Sequence, residues 1–375
     1  MWISNFLSRG RILAVSLGSA LAVTAAATTP VQVDASSAQA LLGKHRQVLA
    51  GLDNPRQLSR TPNGDLLVAQ AGHGSSNPDN CFKDPEFGVV CVGKSGSVIR
   101  LHRGNANEVM KGMLSFASRD GSDATGSDGA GKRPGGGYYS VITYAPHSVI
   151  PQGLPAWQSG KLLARPAHGG KLHAVANITA YERRHDPDGE GFDSNPYSLL
   201  ALRHQVLVAD AAGNDILRVR GGKVSLWDSL PNYGEDDAVP TVVTKGADGN
   251  VYVGELHSFV PGAARVWKYN RQGRVLRSWR NFTTVTGVAR GGDGSLYVSE
   301  LFGGKCTFDQ IPTCFPGRVV RIAPDGDRSY RRVPFPAGIA VTHGRVYVAA
   351  FSTSPSSGFG GNPDWSGAVW RIFRR

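Results

Sequence analysis

The stretch VPTVVTKGADGNVYVGEL, Val239 to Leu256, is nearly repeated as TVTGVARGGDGSLYVSEL, Thr284 to Leu301, shifted by 45 positions. A period of 20 to 50 residues marks a chain built from stacked or radial units, so it constrains the architecture before any single element does. Three relatives of the pair are legible: NPRQLSRTPNGDLLVAQAG from Asn54, NPYSLLALRHQVLVADAAG from Asn195 and FPAGIAVTHGRVYVAAF from Phe335. Each opens on an apolar strand, makes a polar turn and returns as a second strand centred on Val-Tyr-Val or Leu-Val-Ala. Alternation and β-branching in that second run are the signature of a strand.

A third strand follows most copies: GSVIRLH from Gly96, DILRVR from Asp215, ARVWKYN from Ala264, GRVVRIA from Gly317 and GAVWRIF from Gly367. Fourth strands read as NEVMKGM, KVSLWDSL, RVLRSWR and SYRRVPF. Four antiparallel strands per unit of about 40 to 50 residues describe propeller blades. Five are explicit, and a sixth fits between Met113 and Asp193, with GGYYSVITYAP and GKLLARPAHGGKLHAVANI as its strands. Residues 118–137, rich in Gly, Ser and Asp, read as a flexible insertion in that blade. The last unit stops after its third strand, while HRQVLAGL from His45 is an orphan. Lending it to the last blade would close the ring and hide two sheet edges. The expected fold is all-β, a single six-bladed β-propeller over residues 45–373 closed by an N-terminal strand.

Composition agrees with a globular chain. Of 375 residues, 41% are hydrophobic and 19% charged, and 48 glycines with 22 prolines suit many short strands joined by turns. The net charge of +12 is scattered, without a basic run or an aromatic-basic platform, which argues against nucleic-acid binding. Arg9 and Arg11 precede an uncharged apolar run that ends in small residues. This is the pattern of a Sec-type signal peptide over residues 1–27, with cleavage as late as about residue 40 an alternative. The expected mature protein is exported to the periplasm or beyond the cell, monomeric and without a transmembrane segment. Four cysteines in an exported chain suggest disulfides. Pairing Cys81 with Cys91 and Cys306 with Cys314, each pinning one loop, is the simplest assignment, with a zinc site the alternative.

Several segments, YERRHDPDGEGFDSNPY from Tyr181, VADAAGNDILRV from Val208, VPT at Val239, VGEL at Val253 and PGAARVW at Pro261, resemble the ScyD/ScyE family of secreted propellers. That family is similar to the wider NHL and strictosidine-synthase-like six-bladed group. The resemblance runs from about Val48 to Phe373, and the glycine-rich insertion in the second blade departs from it. It implies architecture and export and brings no defined catalytic residue.

The start of a blade's first strand and the end of its second lie on one face. Asn54, Asn195, Asp210, Glu255 and Glu300 occupy such positions, and together they form an oxygen set suited to calcium, which takes six to eight such ligands. Related six-bladed lactonases and phosphotriesterases use an Asn/Asp/Glu calcium site, so the resemblance implies an alternative activity: a calcium-dependent lactonase or esterase. An acid after Val-Tyr-Val also has a purely architectural use, accepting N–H bonds in the next turn. His257, two residues past Glu255, is the candidate base, although a lone loop histidine is ordinarily solvated. Within HDPDGEGFDSN, Asp186, Asp188, Glu190, Asp193 and Asn195 could wrap a calcium ion, but their spacing is not that of an EF-hand, and a turn-rich blade connection is the expected reading. No Gly-x-Ser-x-Gly elbow occurs. The leading expectation is a binding or accessory protein that holds a small molecule or envelope component on the channel face, with calcium the only candidate cofactor.

Overall fold

The computed structural model describes residues 45–373 apart from 86, 233–235, 307–309 and 312. The signal-peptide expectation lies outside the described residues. Six sheets form the six blades, their innermost strands being Pro55–Arg60, Ser127–Lys132, Pro196–Ala201, Pro240–Lys245, Val285–Arg290 and Ile339–Thr342. Each innermost strand touches the next, and the sixth touches the first, so the ring is closed.

The second strands, Leu66–Gln70, Val206–Asp210, Val251–Glu255 and Leu296–Glu300, are buried at every position. A strand covered on both faces carries Val, Leu and Tyr because β-branched and aromatic side chains fill the wedge between neighbouring sheets. The hairpins before them turn at Gly249 and Gly294, with φ of 79° and 82°, a backbone region that glycine enters without a Cβ clash. One residue earlier, Asp248 and Asp293 accept the backbone N–H groups of Asn250 and Ser295 at 3.2 and 3.0 Å. The cores lie between blades, and Trp370, Tyr252, Tyr269 and Phe282 are among the largest fully buried side chains.

Closure follows the expected route. Arg46–Leu52 pairs antiparallel with Gly367–Ile372, giving the last blade its fourth strand from the other end of the chain. Both disulfides are local, Cys81 with Cys91 and Cys306 with Cys314. The first joins direct cross-strand partners in a hairpin that extends the first blade.

The second blade corrects the sequence reading. Part of the supposed flexible insertion 118–137, Ser127–Lys132, is that blade's innermost strand, buried over its first five residues. Its glycines are needed for close packing. A Cβ on Gly129 would stand 3.0 Å from the backbone nitrogen of Leu199, and one on Gly131 would stand 2.6 Å from the Leu199 side chain. Small residues let the innermost strands of blades two and three approach, and the same composition resembles a loop when read alone. Among the described residues there is one α-helix, Ile178–His185, which carries the chain from the rim of the second blade to the hub of the third.

Candidate functional site

The face that bears the second-strand ends also bears the longer loops. There the inner strands begin with an irregularity that recurs. Register shifts fall between Pro55 and Leu58, Ser127 and Gly129, Pro196 and Ser198, Pro240 and Val242, and Val285 and Gly287. A bulge re-aims the side chain it contains. The residues inside these bulges are Arg56 with Gln57, Asp128, Tyr197, Thr241 and Thr286, from the first five blades in turn. Their contacts cross between blades. Gln57 donates from the first blade to the carbonyls of Thr241 and Thr286, in the fourth and fifth, at 3.0 and 2.8 Å. Thr241 and Thr286 donate through their hydroxyls to the carbonyls of Val285 and Pro336 at 2.6 and 2.7 Å.

On the other side of the ring, Arg56 donates to the carbonyl of Ala124 and lies 3.7 Å from Asp128, measured from Nε to Oδ1. Asp128 also accepts from the Thr125 hydroxyl and the Gly126 N–H. Burial pushes its carboxyl up to about 6 despite the guanidinium beside it. Tyr197 is near enough to both charges to feel them, and burial raises its hydroxyl pKa. All of these side chains are buried, so the hub is filled by a cross-blade polar network at this level. The sequence reading missed this ring. Its signal was the third position of each repeat, Arg56, Tyr197, Thr241 and Thr286, where residue type changes from copy to copy.

Of the residues predicted from the sequence, Asp210, Glu255 and Glu300 end second strands, one strand outside that ring, and bond within their own blade or its entry loop, whereas Asn54 and Asn195 stand at the starts of inner strands and bond across to a neighbouring blade. Asp210 accepts from the Ser194 hydroxyl at 2.7 Å and from the Asn195 N–H. Burial raises its carboxyl to about 6, and those hydrogen bonds pull the other way. Glu300 accepts from the Thr283 N–H at 2.6 Å and from Arg318 on its own blade's third strand. Glu255 accepts from the Trp267 indole at 2.9 Å, again on the third strand, and burial pushes it up to about 7. Asn54 donates to the carbonyls of Gly72 and Gly121, both at 2.8 Å, tying the entry of the second blade to the first. Asn195 accepts from Thr143 at 2.7 Å, tying the third blade to the second.

His257 departs from the solvated residue expected. It is 2% exposed, its Nδ1 is 3.9 Å from Glu255 Oε1, and burial depresses its pKa. Arg265 approaches the same oxygen at 4.0 Å. His257, Ser258 and Phe259 take positive φ in succession, a strained turn for three residues with side chains.

At the opposite mouth of the channel, where the inner strands end, a cavity of about 230 Å³ is lined by Arg60, Lys245, Arg290 and His343 and by no carboxylate. It faces away from the loops.

Solved structures with this architecture are similar along most of the chain. A luciferin-regenerating enzyme matches with 8% identity and a TM-score of 0.53, covering 88% of this chain and 95% of its own. Regucalcin from Agrobacterium tumefaciens, described as a calcium-binding protein, matches with 12% identity and a TM-score of 0.51, over 88% of this chain and 94% of its own. A catalytically inactive virginiamycin B lyase from Staphylococcus aureus matches with 12% identity and a TM-score of 0.47, over 88% and 99%. At such identities the likeness is one of fold: this chain is a six-bladed β-propeller. No protein-family model matches it, and no curated protein sequence does. Among the described residues no helix is long and apolar enough to cross a membrane.

Proposed function

We propose that the chain is an exported propeller of the ScyD/ScyE kind that acts as a monomeric binding or accessory protein, holding a small molecule or envelope component on its loop-bearing face. One observation carries this reading over a calcium-dependent lactonase or esterase. Asp210, Glu255 and Glu300 each accept hydrogen bonds from their own blade or its entry loop. Below them the hub is filled by the network of Arg56, Gln57, Asp128 and Tyr197. Carboxylates already engaged by a Trp indole, an Arg guanidinium and backbone N–H groups contribute to blade geometry. The filled hub gives the loops above it a rigid floor, which favours recognition by a pre-organised surface.

The test pairs two measurements on protein exported by a producing host. Native mass spectrometry is expected to show a bound small molecule or envelope fragment released on denaturation. In parallel, lactone and aryl-ester hydrolysis is followed with calcium and with chelator. Turnover that chelator abolishes, and that Glu255→Gln and Glu300→Gln each remove, would overturn the binding reading in favour of the hydrolase.

A further inference from the structure

The helix Ile178–His185 enters the loop face with Asn177 capping its first turn, its side chain accepting the Ala180 N–H at 3.0 Å. It ends at Asp186, which adopts a left-handed φ of 41° and donates its N–H to the Glu182 carbonyl. Glu182 therefore projects from the last turn against the hairpin of the third blade. Its carboxylate packs on Gly213, where a Cβ would come within 3.0 Å of it. That hairpin begins at Asp210 and resumes at Asp215, which are register partners.

The acidic groups of three segments thus meet. Glu182, Asp186 and Asp188 each offer one oxygen within 4.8 Å of the others. Asp210, Asp188, Asp186 and Asp193 all repel a charge on Glu182, while Asp210, Glu182 and Asp188 repel one on Asp215. Asp186 and Asp188 are held in place, the first accepting the Gly191 N–H and the second the Asn214 side-chain amide at 2.9 Å. Proximity of acids alone would say little. The decisive observation is independent of it: Glu182 and Asp215 are both fully buried, and neither has a hydrogen-bond partner for either carboxylate oxygen. Among the described residues no ion pair reaches them. An ionised carboxylate buried without donors is strongly unfavourable, so each of these groups either keeps its proton or is completed by a cation.

We propose that Glu182, Asp186, Asp188 and Asp215 form a calcium site that pins the inter-blade helix and its acidic loop to the third blade. The donors are oxygens only, which excludes the soft-metal sites that need Cys or His. They come from a loop as well as from a helix and a hairpin, and calcium tolerates that irregular geometry where magnesium demands an octahedron. The site lies in the blade connection, apart from the hub, so it stands whether or not the loop face binds a ligand.

The experiment is calcium titration of the full chain after chelator stripping, read by calorimetry and by melting temperature. One calcium per chain and a higher melting temperature are expected. Glu182→Gln and Asp215→Asn should each weaken binding at least about tenfold, because affinity follows ligand charge. A merely structural Glu182 would leave the Gln variant less stable in chelator. The site requires the opposite, a Gln variant at least as stable as wild type in chelator but without the calcium-induced rise. No calcium uptake up to millimolar concentration, or wild-type affinity in both variants, overturns the proposal. So does magnesium binding as tightly as calcium.

Discussion

Replacing Arg56 by Met leaves Asp128 buried without its counter-charge and leaves the Ala124 carbonyl without its donor. Asp128 is fully buried, and its Oδ1 lies 3.7 Å from Arg56 Nε. Removing one member of a buried pair costs about 3–5 kcal/mol, and an unsatisfied buried carbonyl about 1–3 kcal/mol. The two losses differ in their pH dependence. Asp128 is pushed up to about 6 with Arg56 present, and losing that attraction moves it higher. At pH 5 the orphaned carboxyl is therefore neutral and only the carbonyl term remains. At pH 8 the carboxylate must be ionised in the hub, or hold its proton at a free-energy cost. Arg56→Met should then lower stability by about 4–8 kcal/mol at pH 8, where both losses apply, and by about 1–3 kcal/mol at pH 5. For a domain of this size, unfolding entropy makes 1 kcal/mol worth about 1.4 °C, so the loss at pH 8 is about 6–11 °C. Adding Asp128→Asn removes the stranded charge and should restore the pH 8 value to that at pH 5. Differential scanning calorimetry of the four proteins at both pH values completes the cycle. A loss that does not change with pH, or a double variant no more stable at pH 8 than Arg56→Met, would refute the paired-charge reasoning.

Wild-type protein in chelator should lose stability as pH rises from about 4.5 to 7. Asp128 and Glu255 have folded pKa values of about 6 and about 7, above their ordinary values, so the folded state holds their protons longer than the unfolded state. Each contributes on the order of 3 kcal/mol to the total loss, and Glu255→Gln should remove its share in a melting series. Gly131→Val should destabilise by about 1–3 kcal/mol or more, since its Cβ would collide with Leu199, whereas a flexible insertion would accept it; chemical denaturation distinguishes the two. Deleting residues 45–52 strips the last blade of its fourth strand and uncovers Trp370, on which His45 stacks at 3.6 Å. Light scattering should then show association through the open edge, and an unchanged monomer would count against closure by this strand.

Most of the fold is legible in the sequence because blades repeat their burial pattern. Leu-Tyr-Val and Val-Tyr-Val recur since the second strands of the fourth and fifth blades are covered on both faces. The innermost strand of the second blade escapes for a reason of packing. Ser-Asp-Gly-Ala-Gly-Lys has weak strand propensity, and its place is set by the close approach of the strand at Leu199, a tertiary demand that glycine meets at the expense of any local signal. His257 is misread for the opposite reason, since nothing local shows that a turn with three positive φ values folds it inward beside Glu255.

The two glutamates of the opening repeat explain why the site is harder to read than the fold. Glu255 and Glu300 occupy equivalent strand ends and are both held from the third strand of their own blade, Glu300 by Arg318 and Glu255 by the Trp267 indole, with Arg265, the counterpart of Arg318, 4.0 Å away. A residue that recurs because every blade needs it reports on blade construction. A site on a ring has the reverse requirement, because one ligand or one plug must be met by different groups from different blades. The hub obeys this: the position that is Thr in the fourth and fifth blades is Arg56 in the first, Asp128 in the second and Tyr197 in the third. Only these unlike residues make the cross-blade contacts of a buried ion pair and its neighbouring hydroxyl. The acidic connection shows the same asymmetry, since among the described residues a helix links the second and third blades and no other pair. In a repeat protein of this kind, the departures from the repeat locate the chemistry, and the repeated acids mark the frame that holds it.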